Sequence, residues 1–340
     1  MYEQQEKDDL SLDFHSGRTL RMQYRTVINI TALLSFLQIV FCAGAVHVRQ
    51  IVAQTVSALT GNDALLLASL MDVWALFEYT CSFMLPLGVV LLIFRDSVFR
   101  PYVPFSPKIP EHPFAAIAFS LAVLQLFASF TDVLLNVLET FGVQLVFYDS
   151  VPPETPVRIL LYFVSTVLLP AFVEEMIFRG YILHLLLPFG KTAAILISAI
   201  LFGLSHLYLP QILYATAVGV LIGYFVVRGE SLWIGIFIHA LNNLISFLSE
   251  MAACFLPEPA YGIFTAVTYA AVILCGIVGA LVLCAHASGS NRGTVLESGS
   301  VYGTTLEIPI AMRDACTLPM IAYLICAAYY TLIGSVRLPV

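Results

Sequence analysis

Four polar side chains stand in three hydrophobic stretches of the sequence and could carry out chemistry together. Glu174 lies in LPAFVEEMIFRGYIL, and His206 lies in FGLSHL. His239 and Asn243 are four residues apart in HALNNL. A carboxylate, two imidazoles and an amide supply a base, proton carriers and a hydrogen-bond donor. This set of groups predicts hydrolysis by an activated water molecule.

The residues around Glu174 indicate how charge is kept inside a hydrophobic segment. Glu175 and Arg179 are spaced i, i+4 with the acid first, which favours an ion pair on one helix face. Glu174 points about 100° away and has no partner on its own helix, so it must face another element. Pro170, four residues earlier, can kink the helix and free a carbonyl near the site. Taken alone, this segment also fits an ion-pair cluster that only holds helices together.

Each histidine has a simpler alternative as well, because a lone histidine is commonly a buried core residue with a hydrogen-bond partner. The free carboxylate, the two imidazoles and the amide, however, occur on three hydrophobic helices in close succession along the chain. Ionisable residues inside a membrane usually face the bundle interior and mark function. The combination therefore favours a functional site.

The composition indicates where these residues lie. Of the 340 residues, 60% are hydrophobic and 11% are charged, and the mean hydropathy is +0.92. A soluble domain has about 25% charged residues. So little charge cannot cover a surface that faces water, and the sequence predicts an all-α polytopic membrane helix bundle with about eight to nine transmembrane helices. Nothing suggests a nucleic-acid partner.

Nine hydrophobic runs are candidate spans, since a helix crosses the hydrocarbon core in about 20 residues. They are Thr26–Val48, Met71–Phe94, Pro113–Leu134, Val157–Leu183, Thr192–Leu207, Leu209–Val227, Leu232–Phe247, Gly262–Cys284 and Ala315–Ser335. Residues 1–25 form a polar tail, and residues 286–314 form a Gly/Ser-rich loop within the C-terminal helices. Twelve of the 15 Lys and Arg residues fall on one side, so the positive-inside rule predicts a cytoplasmic N-terminus.

The predicted helix ends place the site residues at different depths. At about 1.5 Å per residue, Glu174 lies nearer the inner face, His206 nearer the outer face and His239 between them. The three side chains can meet only if a predicted boundary is wrong or the fifth helix is short and inset.

Three motifs resemble those of a known family. EEMIFR matches EExxxR, FGLSH matches FxxxH and HALNN matches HxxxN. Their order and spacing resemble the CAAX prenyl protease and bacteriocin-processing family of intramembrane endopeptidases, called CPBP or Abi. The resemblance makes residues 157–250 the catalytic core, between N-terminal helices over residues 26–156 and C-terminal helices over residues 251–340.

The resemblance implies a role for each motif residue. Glu174 would activate water with His206, and His239 with Asn243 would hold the oxyanion of the intermediate. Glu175, Arg179 and Phe202 would support the site. An alternative uses His206 and His239 as zinc ligands, alone or with a glutamate, although Asn243 is a poor ligand for zinc and fits an oxyanion role better.

The sequence therefore predicts an intramembrane endopeptidase that acts on membrane-associated proteins or peptides in a lipid bilayer. A non-catalytic scaffold or immunity protein of the same fold is the main alternative. A transporter that uses Glu174 as a carrier is a third, but the chain has no repeated broken helices in two corresponding halves.

Overall fold

The chain is a multi-pass integral membrane protein built from α-helices. The computed structural model describes residues 17–61, 63–94, 111–143, 145, 153, 155–289 and 308–335, and no β-strand occurs among them. Eight helices in this part are long and apolar enough to cross a membrane. The predicted all-α polytopic bundle is confirmed. The cytoplasmic placement of the N-terminus stays a prediction.

The described residues form ten helices, and those nearest the site pack directly on one another. The helices are α1 (Gly17–Leu59), α2 (Ala64–Ile93), α3 (Pro113–Thr140), α4 (Pro156–Phe189), α5 (Lys191–Leu204), α6 (Leu209–Gly229), α7 (Leu232–Phe255), α8 (Glu258–Gly289), α9 (Ile308–Ala315) and α10 (Leu318–Ser335). The middle of α4 packs against α2, α5 and α7. The site residues come from these helices, from α6 and from the turn between α5 and α6.

The first helix begins earlier than predicted. It starts at Gly17, inside the polar tail predicted for residues 1–25, and the rest of that tail lies outside the described residues. Tyr24 explains the extension, because its hydroxyl donates to the Ala311 carbonyl on α9 at 3.0 Å. The Tyr24 ring also meets the Phe189 ring at 5.3 Å between centroids. Tertiary contacts with α4 and α9 thus stabilise this part of the helix.

Both ends of the segment that the sequence predicts as a Gly/Ser-rich loop, residues 286–314, are helical. Helix α8 continues to Gly289, and α9 begins at Ile308. The stretch between them lies outside the described residues.

Helix α4 is irregular on both sides of the candidate base. It has π-helical geometry, with hydrogen bonds between residues five apart, over residues 164–168 and 176–183. Pro170 follows the first of these segments and has no N–H to continue a regular ladder. Glu174 lies between the two segments. The helix then continues past Leu183, its predicted end, so that Glu174 lies near the middle of a 34-residue element.

The predicted fifth span, Thr192–Leu207, is wrong. Helix α5 has 14 residues, which is too short to cross the hydrocarbon core alone. After α5 the chain forms a turn, in which the His206 N–H donates to the Gly203 carbonyl at 3.2 Å. Leu207 then has a φ of 51°, which a helix cannot accommodate. The short α5 and the long α4 remove the difference in depth that the predicted boundaries implied.

Small residues bring α5 and α6 close together. A Cβ atom at Gly219 on α6 would lie 2.9 Å from the Cα and Cβ atoms of Ala199 on α5. A Cβ atom at Gly203 would lie 2.0 Å from Thr216 Oγ1. Any larger residue at these positions would separate the helices. This hairpin places His206, at its turn, beside α7 and α4.

Candidate active site

A buried ion pair lies where α4, α5 and α7 meet. Arg179 Nη1 is 2.7 Å from Glu175 Oε1, and the exposed fractions of the two side chains are 1% and 0%. The Arg179 guanidinium carbon lies 4.4 Å from the centre of the Phe202 ring on α5. The carboxylate and the aromatic face thus replace part of the water around the buried cation, while Arg179 Nη2 has no hydrogen-bond partner among the described residues. The structure contains the i, i+4 pair that the sequence predicts.

His239 on α7 joins this pair. Its Nδ1 lies 2.8 Å from Glu175 Oε1, so the same oxygen also contacts Arg179. Gly235, one turn earlier on α7, makes this approach possible. A Cβ atom there would lie 3.1 Å from Glu175 Oε2 and 2.8 Å from Val226 Cγ2. Because Gly235 has no side chain, α7 approaches α4 closely enough for His239 to contact Glu175.

Glu174 has a different set of neighbours from Glu175. The Tyr79 hydroxyl on α2 donates to Glu174 Oε1. His239 Nε2 lies 3.7 Å from Glu174 Oε2, which is beyond direct hydrogen-bond distance. The imidazole therefore lies between two carboxylates, with Nδ1 bonded to Glu175 and Nε2 next to Glu174.

One cavity brings the predicted catalytic side chains together. Its volume is about 340 Å³, and its wall includes Glu174, His206, His239 and Asn243. Phe202 is also part of the wall. The ion pair of Glu175 and Arg179 is not, and lies behind it. The structure thus separates the polar groups that face the cavity from the charges that support them.

The hydrogen bond of His206 defines which ring nitrogen is left for chemistry. Its Nδ1 lies 3.0 Å from the Phe202 carbonyl oxygen, which can only accept a hydrogen bond. Nδ1 therefore carries a hydrogen, and Nε2 of the neutral ring is an acceptor. The ring also contacts the Phe202 ring edge-on at 5.1 Å.

Asn243 is held in one orientation by a chain of hydrogen bonds. Its Nδ2 donates to the Thr166 carbonyl at 3.0 Å, and its Oδ1 accepts from Asn242 Nδ2 at 3.4 Å. The Tyr214 hydroxyl donates to Asn242 Oδ1 at 2.6 Å. In a regular helix the Thr166 carbonyl would accept from the N–H of residue 170. Pro170 has no N–H, so this carbonyl can accept from Asn243 instead. One N–H of Asn243 remains available for a ligand.

Sequence reasoning missed the tyrosines of the site. Tyr79 and Tyr214 line the cavity from α2 and α6, and neither belongs to a motif. A tyrosine in a hydrophobic helix looks the same whether it contacts a catalytic group or lipid, so no local signal distinguished them. The sequence did contain a signal for Thr166, because Pro170 indicates that a carbonyl in the preceding turn has no helical hydrogen-bond partner.

The described residues show no preformed group of metal ligands. Catalytic zinc sites have three protein ligands. No group of three or more His, Cys, Asp or Glu side chains in the described part of the chain could hold a metal ion. The Nδ1 atoms of His206 and His239 are both engaged, by a carbonyl and by Glu175. That pattern leaves the Nε2 atom of each ring as the one that a ligand could reach, and the zinc alternative stays a prediction.

The three motifs and most of the cavity wall lie in one stretch of the chain. Residues 156–245 match the Rce1-like family. The family model is described as Type II CAAX prenyl endopeptidase Rce1-like, and it covers about a quarter of the chain. The match confirms the family resemblance that the motifs carry, and it supports an intramembrane CAAX-type protease at the family level. Comparison with curated proteins gives no match, and comparison with solved structures gives none.

The two glutamates of the Rce1-like segment should differ in their effect on stability. Glu175→Gln removes the anion between Arg179 and His239, and breaking a buried pair costs about 3–5 kcal/mol. Glu174→Gln keeps that pair, and its amide oxygen can still accept from Tyr79. Thermal unfolding in detergent should therefore show a large loss for Glu175→Gln and a small one for Glu174→Gln. Equal losses would contradict this division.

Proposed function

We propose that the chain is an intramembrane endopeptidase that hydrolyses peptide bonds of membrane-associated proteins or peptides with a water molecule activated by Glu174. One observation carries this proposal: four side chains from three separate motifs line a single cavity. The family match supports a protease, and members of a CAAX protease family act on membrane-associated substrates. The roles of the individual residues are part of the proposal.

Glu174 is the proposed base. Tyr79 binds its Oε1 atom, which leaves Oε2 to accept a proton from water. His206 orients that water through its unprotonated Nε2. The water oxygen attacks the carbonyl carbon of the substrate while its proton passes to Glu174, and the C=O bond opens to an oxyanion. Protonated Glu174 then gives the proton to the amide nitrogen as the C–N bond breaks.

The buried charges favour an oxyanion beside His239. In the proposal the His239 ring has a hydrogen on both nitrogens, so that it, Arg179 and the two carboxylates sum to zero charge. Attack by water neutralises Glu174 and creates one negative charge on the oxyanion, so the sum does not change. The Nε2–H of His239 and the free N–H of Asn243 can donate to that oxygen. One preorganised donor of this kind contributes about 2.7–4 kcal/mol to transition-state stability.

The direct test of the proposal is proteomics of peptides released from membranes of cells that carry the wild type or Glu174→Gln. We expect a set of peptides that only the wild type releases, because the variant has no base. Glu258→Gln, an exposed glutamate at the start of α8, is the matched control and should behave as wild type. If the Glu174→Gln cells release the same peptides, or keep the same biological function, the scaffold alternative is favoured instead.

Tyr79→Phe tests whether the hydrogen bond from Tyr79 positions the Glu174 carboxylate as the base. Loss of a hydrogen bond to a charged group costs about 1.5–3 kcal/mol, so kcat on a peptide found by proteomics should fall about 10- to 100-fold. KM should change little, because Tyr79 acts through the carboxylate. Tyr181→Phe is the matched control, since its buried hydroxyl has no hydrogen-bond partner in the described part of the chain. A rise in KM alone would contradict the positioning role.

Metal removal tests the proposed water activation. We expect peptide cleavage by the purified chain to persist after thorough chelation, with far less than one zinc ion per chain by elemental analysis. Asn243→Ala should still lower kcat by about 10²–10³-fold, because the oxyanion donor acts without a metal. Stoichiometric zinc in the wild type that is lost in His239→Ala, with the fold intact, would overturn this mechanism but not the protease assignment.

A further inference from the structure

The cavity extends well beyond the proposed catalytic groups along α7. His239, Asn243, Ser246 and Glu250 all line it, and their spacing of four, three and four residues places them on one face of the helix. At about 1.5 Å per residue, Glu250 lies roughly 16 Å from His239 along the axis. Glu250 is near the end of α7, so the cavity reaches from mid-helix toward one end of the span.

Glu250 is a carboxylate held in place without a cation. The Tyr162 hydroxyl on α4 donates to Glu250 Oε2 at 2.7 Å. The Tyr162 ring packs against Phe247, with 6.0 Å between ring centroids, so the donor is itself held in position. No ion pair of the described residues includes Glu250, and no Lys or Arg lines the cavity. Carboxylates within membrane-spanning helices usually have a functional partner.

We propose that Glu250 is a substrate-binding residue that selects a Lys or Arg side chain about four to six residues from the cleaved bond. This inference rests on the proposed function. An extended peptide advances about 3.3 Å per residue, so roughly 16 Å corresponds to about five residues. The cavity has two carboxylates and no Lys or Arg side chain, and its histidines lie at the catalytic end, so a cationic substrate group is complementary to Glu250.

The test uses the purified full-length chain and synthetic peptides built on a sequence that the wild type cleaves. Each peptide carries one Lys, Gln or Glu at a position three to seven residues from the cleaved bond, on either side. For the wild type we expect one position at which kcat/KM is about tenfold higher for Lys than for Glu, mostly through KM. Glu250→Gln should reduce this ratio to about two or less.

Two further variants separate charge recognition from folding. Tyr162→Phe keeps the carboxylate but removes its anchor, and should weaken the Lys preference without abolishing it. Glu258→Gln makes the same charge change outside the cavity, and should leave the preference unchanged. Equal preferences in the wild type and Glu250→Gln, or no charge preference in a wild type that cleaves all peptides, would overturn this inference alone. A wild type that cleaves none of the peptides or membrane proteins would overturn the proposed function and this inference together.

Discussion

The contact between Glu175 and Arg179 is the constraint on which the rest of the site depends. Each charge placed at the centre of a spanning helix costs about 2.5–3.5 kcal/mol on insertion scales, and these two are almost fully buried. The pair is stable only because other helices surround it. Phe202 covers the guanidinium, and Gly235 allows α7 to reach the carboxylate.

The ion pair also explains why two adjacent glutamates have different surroundings. Consecutive residues of a helix point about 100° apart, so one carboxylate faces Arg179 while the other faces the cavity. His239 connects them, since its two ring nitrogens lie next to the two acids. In the proposed reaction, this arrangement leaves Glu174 free to exchange a proton while Glu175 keeps the supporting charges balanced.

Irregular helices bring the candidate catalytic side chains to one cavity. The π-helical segments of α4 and the proline between them change the path of the helix and leave the Thr166 carbonyl for Asn243. The short α5 ends in a turn that holds His206 inside the bundle. A bundle of straight spans with the predicted ends would have kept these groups apart.

Some features of the site could be predicted from the sequence because they depend on local spacing. Composition and long apolar runs predicted the membrane bundle, the i, i+4 spacing predicted the Glu175–Arg179 pair, and three motifs predicted the family. Helical periodicity determines such relations within one segment, whatever surrounds it. The same local reasoning indicated a freed carbonyl before Pro170.

Other features were decided only by the tertiary structure. Tyr79 on α2, outside the matched segment, binds Glu174 across 95 residues of sequence. His239, rather than His206, lies next to Glu174, and Glu250 shares its cavity. Contacts of this kind depend on where each helix begins, bends and ends. Those boundaries follow from packing among several helices, which no single stretch of sequence contains.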